Sequence, residues 1–144
     1  MKIKILPLIL IVFVVLISFN FYLGFSPFAY GVSPVEYDEK IGMWHKKNYS
    51  AYQIKECYKN KFSFDEKGLS KSLYKYDPVK KDVIVLGDSH VQALRMKNES
   101  VIHNALATEY DQKYNFLNYG LAGTSPVQHY VILKEKADLK NAKY

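Results

Sequence analysis

The sequence predicts an α/β fold: an N-terminal transmembrane helix, then the first βαβ portion of a parallel-sheet domain, left incomplete. Three observations predict it. An apolar run extends from Ile5 to Phe25, broken only by Pro7, Ser18, Asn20 and Gly24. A short, continuous apolar run, Val83-Ile84-Val85-Leu86, stops at Gly87, as expected of a strand buried on both faces of a parallel sheet. A second strand pattern, Asn115-Phe116-Leu117-Asn118-Tyr119, stops at Gly120, with a helical pattern between the two.

Composition narrows the function classes. A length of 144 residues suits one domain, and 24% charged with 15% aromatic residues argues against disorder. The single cysteine, Cys57, excludes an intramolecular disulfide framework and a multi-cysteine zinc site. The net charge of +6 rests on 19 lysines and one arginine, Arg95. Bidentate phosphate and guanine recognition favours arginine, so no nucleic-acid partner is expected.

Residues 1–25 read as a transmembrane signal anchor. A helix over Ile5–Phe25 rises about 31 Å, enough to cross a bilayer core. A cleaved signal peptide has a shorter apolar region, and the nearest small-residue site, Ala29-Tyr30-Gly31, lies well beyond it. Lys2 and Lys4 precede the run, while Ser26 to His45 carries only Lys40, so the N-terminus is expected in the cytoplasm. The C-terminal part is then exported, facing a periplasm or the cell surface.

Residues 26–81 read as linker and irregular structure. Ser26-Pro27, Gly31, Ser33-Pro34 and Gly42 leave no room for a long helix. Turns are expected at Tyr37–Gly42, at Phe64–Leu69 and at Asp77-Pro78. Residues 82–144 carry the regular pattern. A helix is expected after Glu99-Ser100, with Ile102, Ala105 and Leu106 on one face. Another starts at Ser125-Pro126 and runs to about Leu139, with Gln128 completing a capping box.

The chemistry-bearing residues sit where the first strand ends, at Gly87-Asp88-Ser89-His90. In open α/β sheets reactive groups gather at the carboxyl ends of strands. A serine in the strand-to-helix turn presents its hydroxyl outward, and its own N–H can help bind the oxyanion it creates. Glycine after the second strand, in Gly120-Leu121-Ala122-Gly123, lets a substrate oxygen approach the backbone closely. Asp88 reads as a turn residue whose carboxylate takes nearby N–H groups.

These segments resemble the front half of an SGNH (GDSL-type) hydrolase, in a membrane-anchored form. Gly87-Asp88-Ser89-His90 is similar to that family's first block and Asn118-Tyr119-Gly120-Leu121-Ala122-Gly123 to its second. The upstream Tyr37–Gly42 and Phe64–Leu69 segments also resemble membrane-anchored members. The resemblance implies a flavodoxin-like three-layer sheet, Ser89 as nucleophile, and Ser89 and Gly123 as oxyanion-hole donors, with Gly87 and Asp88 as motif support. It further implies an esterase or acyltransferase acting on ester groups, O-acetyl groups of exported polysaccharide among them.

Two family blocks do not occur in the sequence: the Gly-x-Asn-Asp stretch that supplies an oxyanion-hole asparagine, and the Asp-x-x-His stretch that supplies the base. The chain is therefore expected to be truncated after the second block and without meaningful turnover. His90, His129, His103 and His45 are the available substitutes, none in a position that marks it as the base. No cluster has metal-ligand spacing, so no metal and no cofactor is expected. The alternative is a non-catalytic, membrane-tethered remnant or binding module.

Overall fold

The computed structural model describes residues 5–25, 33–55 and 58–142. Two compact units divide the chain, Met1–Val32 and Ser33–Tyr144. The first contains helix α1 (Ile5–Phe25), whose described side chains from Ile9 to Phe21 are exposed. The expected transmembrane helix is corrected here: among the described residues, no helix is long and apolar enough to cross a membrane. The helix carries Pro7 near its start and the polar Ser18 and Asn20 in its second half. Asn20 returns its side-chain amide to the Leu16 carbonyl at 2.8 Å. Lys2, Lys4, the Ala29-Tyr30-Gly31 site and Cys57 lie outside the described residues.

The second unit corrects the parallel α/β expectation. Among the described residues it holds three two-stranded sheets, and two of them are antiparallel hairpins. Strands β1 (Val35–Asp38) and β2 (Gly42–His45) form the first. Its turn is the one expected at Tyr37–Gly42: the Asp38 carboxylate accepts from the Lys40 and Ile41 N–H groups, and Gly42 takes φ +85°. Strands β3 (Ser50–Lys55) and β4 (Tyr58–Ser63) form the second, within the stretch read as irregular. Along β4, Lys59 and Lys61 are exposed and alternate with the half-buried Tyr58, Asn60 and Phe62. That is the period of a strand with one wet face, too polar to stand out as an apolar run.

The expected turn at Phe64–Leu69 packs against the first hairpin. Asp65 accepts from the Lys67 and Leu69 N–H groups, and Trp44 Nε1 donates to the Lys67 carbonyl at 2.8 Å. At Gly68, φ is +80° and a Cβ would stand 2.6 Å from Trp44 Nε1, so both conformation and space require glycine.

Strand β5 (Asp82–Val85) pairs in parallel with β6 (Asn115–Asn118), in a register from Asp82↔Asn115 to Val85↔Asn118. Val83 to Val85 are half-buried, not buried on both faces. β6 flanks one edge of β5, whereas the other carries a single parallel bridge from Asp82 to Ala142. Between the strands run α2 (Ser89–Gln92), a 3-10 turn at Asn98–Ser100 and α3 (Ile102–Glu109). Helix α4 (Pro126–Lys136) starts where its signals predict, with Gln128 Oε1 accepting the Ser125 N–H at 2.9 Å. It stops at Lys136, short of Leu139, and a 3-10 turn at Leu139–Asn141 follows.

Trp44, Leu69, Tyr119, Leu121 and Ile132 form the core, where the first hairpin, the 64–69 turn, the end of β6 and α4 meet. Lys40 pairs with Glu135 at 2.7 Å and Lys136 with Asp38, tying the hairpin turn to the end of α4. The hydrogen bond from Lys136 holds the Asp38 carboxyl below its ordinary range.

Candidate active site

Ser89 opens α2, a single helical turn directly after β5, and is exposed. Asp88 caps that turn: its carboxylate accepts the His90 N–H at 2.9 Å. The turn closes at Ala93, which takes φ 51°, so the chain reverses after four residues. Two glycines let α2 sit close to the strand ends. A Cβ on Gly87 would stand 2.3 Å from Val91 Cγ2, and one on Gly120 would stand 2.4 Å from the Gln92 nitrogen. The Leu121 N–H donates to the Gly87 carbonyl at 2.9 Å, joining the turns after β5 and β6.

Asn118 locks this junction. Its Nδ2 donates to the Val91 carbonyl at 2.8 Å and to His103 Nδ1 at 3.1 Å, and its Oδ1 accepts the Gly120 N–H at 2.8 Å. One buried amide thus holds α2, α3 and the glycine turn together. A second buried contact reaches α2 from the first hairpin. His45 Nδ1 lies 2.8 Å from the Gly68 carbonyl, which can only accept, so Nδ1 carries the proton. Nε2 is then free to accept from Gln92 Nε2 at 2.6 Å. The His45 ring stacks on Phe64 with centroids 4.1 Å apart.

None of the four histidines is placed as a base for Ser89. Among the described residues, no side chain stands at hydrogen-bond distance from Ser89 Oγ. Burial pushes His45 down to about 4, opposed by its bond to Gly68, and pushes His103 down to about 4 as well. His129 serves the glycine turn. The Thr124 hydroxyl spends its proton on the Leu121 carbonyl at 2.6 Å, so the Thr124 oxygen accepts from His129 Nε2 at 2.9 Å. His90 is exposed beside Ser89.

Ser89 and His90 line a cavity of about 540 Å³ together with Gln92, Arg95, Leu121 and Ala122. Gly123 is not in that wall but follows it by one residue. It takes φ +78° in open space, and its N–H meets no acceptor among the described residues. A larger cavity, about 620 Å³, lies between the 65–76 segment and β6, lined by Tyr74, Tyr76, Asn115 and Tyr119, away from Ser89. Among the described residues, no group of three or more His, Cys, Asp and Glu could hold a metal ion.

Sequence reasoning missed Asn118, Gln92 and His45 as positioning residues. A polar residue ending an apolar strand just before glycine was the available signal for Asn118; nothing local marks the other two. In comparisons with known proteins, no family model matches the chain and no curated protein matches it.

Proposed function

We propose that Ser89 is the nucleophile of an SGNH-type ester-cleaving site, working as an esterase or O-acyltransferase on O-acyl groups, O-acetyl groups of a polysaccharide in particular. One observation carries this reading: an exposed serine on a one-turn helix at the carboxyl end of a parallel strand, lining a cavity beside the turn after the neighbouring strand. Ser89 Oγ attacks the ester carbonyl carbon, forming the acyl-enzyme bond. The carbon–oxygen bond to the carrier breaks, and the Oγ proton leaves with the carrier hydroxyl. Water or a second hydroxyl then takes the acyl group. The N–H groups of Ser89 and Gly123 are the donors for the oxyanion.

A proton acceptor must come to Ser89 from beyond the contacts described, which makes added imidazole the informative reagent. Labelling of the chain by a fluorophosphonate should be specific to Ser89, should rise with imidazole and should vanish in Ser89→Ala. Equal labelling of both proteins ends the reading. A second reading, a non-catalytic binding module, is favoured by the lack of a base at Ser89 among the described residues. Absent labelling with and without imidazole, alongside retained ligand binding in the cavity, would support it.

A further inference from the structure

The second hairpin and the turn after α2 build one wall of the Ser89 cavity, and both contribute polar groups left without partners. Gln53 of β3 lines the cavity, and its Oε1 is buried with no hydrogen-bond partner among the described residues. A buried, unpaired acceptor is destabilising and rare in folded proteins, so it stands out unless something bound satisfies it. Directly across the hairpin, Asn60 pairs with Gln53 in register, and cross-strand partners point to the same face. The Asn60 amide donates to the Arg95 carbonyl, fixing the turn that carries Arg95 beside the cavity. Arg95 is exposed, and its guanidinium meets no acceptor among the described residues. It is the single arginine against 19 lysines, and guanidinium is the group whose planar fork matches a carboxylate or phosphate.

We propose that this wall is a carrier subsite for an oxyanion-bearing, hydroxylated molecule: Arg95 pairs with the carboxylate or phosphate, and the Gln53 amide turns about its last torsion so that Oε1 accepts from a neighbouring hydroxyl. The proposal rests on the Ser89 reading and deepens it, naming the substrate as an ester on an acidic sugar rather than a neutral one. Met43, Met96 and Leu121 are among the apolar residues that line the rest of the cavity.

Because the chain has one arginine, its Nε–H gives one NMR signal, which reports this site alone. The 144-residue protein is titrated with galacturonate, galactose 6-phosphate and galactose. One or both acidic sugars should shift the Arg95 signal saturably and bind about tenfold tighter than galactose; which of the two does so separates a carboxylate from a phosphate carrier. Arg95→Gln should bring the acidic sugar down to the level of galactose, and Gln53→Leu should weaken all three. Equal affinity for all three sugars, or an acidic preference that survives Arg95→Gln, overturns the proposal. Ser89-specific labelling with no acidic preference sinks this proposal alone. Acidic-sugar binding without Ser89-specific labelling sinks the nucleophile reading alone.

Discussion

Gly120 shows how one residue controls the candidate site. Its α-carbon faces the Gln92 nitrogen so closely that a methyl group would stand 2.4 Å away, against backbone that cannot rotate aside. Gly120→Ala must therefore push α2 outward, at a cost of about 1–3 kcal/mol, and move Ser89 relative to the glycine turn. Thermal unfolding and the imidazole-stimulated labelling rate should both fall; an unchanged rate would show that the junction does not position Ser89. Gly123 is the contrasting case, free of contacts and needed only for its positive φ. Both glycines were legible as a glycine turn. Their different duties were not, because the neighbour that makes Gly120 indispensable lies 28 residues earlier in the chain.

At the scale of elements, the irregular stretch before β5 is held to α3 by Asn104 and by a 2.7 Å hydroxyl contact between Tyr74 and Thr108. Asn104 is fully buried, and its Oδ1 accepts from the Leu73 N–H at 3.0 Å and the Ser72 hydroxyl at 3.1 Å. Its Nδ2 donates to the Asn98 carbonyl at 2.8 Å. Asn104→Ala leaves these groups unpaired and should cost about 2–3 kcal/mol, with faster hydrogen exchange at Leu73. Exchange at Leu73 unchanged by the substitution would show the strap is held elsewhere. β5, β6 and α4 were legible because their signals are local: an apolar run ending in glycine, and a proline at the first helical position. The hairpin β3–β4 was not, since Tyr, Lys and Asn alternate there with little apolar contrast.

Across the whole molecule, two histidines are buried neutral, one on β2 and one on α3. Each is pushed down to about 4 by burial, against 6.5 when unfolded. Above pH 6.5 both states hold them neutral and no difference arises. As pH falls toward 4, the unfolded chain takes up protons that the folded one refuses, so stability declines in that window, by up to roughly 3 kcal/mol per histidine. Thermal melts at pH 7 and pH 5, above the usual carboxylate range, should show this loss, and His103→Gln should remove about half of it. A melting temperature flat over that interval contradicts the buried-neutral state. The sequence by itself determined the parallel strand pair, the serine turn, the glycine turn and the start of α4, because each follows from periodicity or turn chemistry within a few residues. Tertiary structure alone decided the two hairpins, the buried positions of His45, His103 and Asn118, and the placing of Gln53 and Arg95 beside Ser89. Those features depend on which distant groups exclude water together, and no local pattern encodes that.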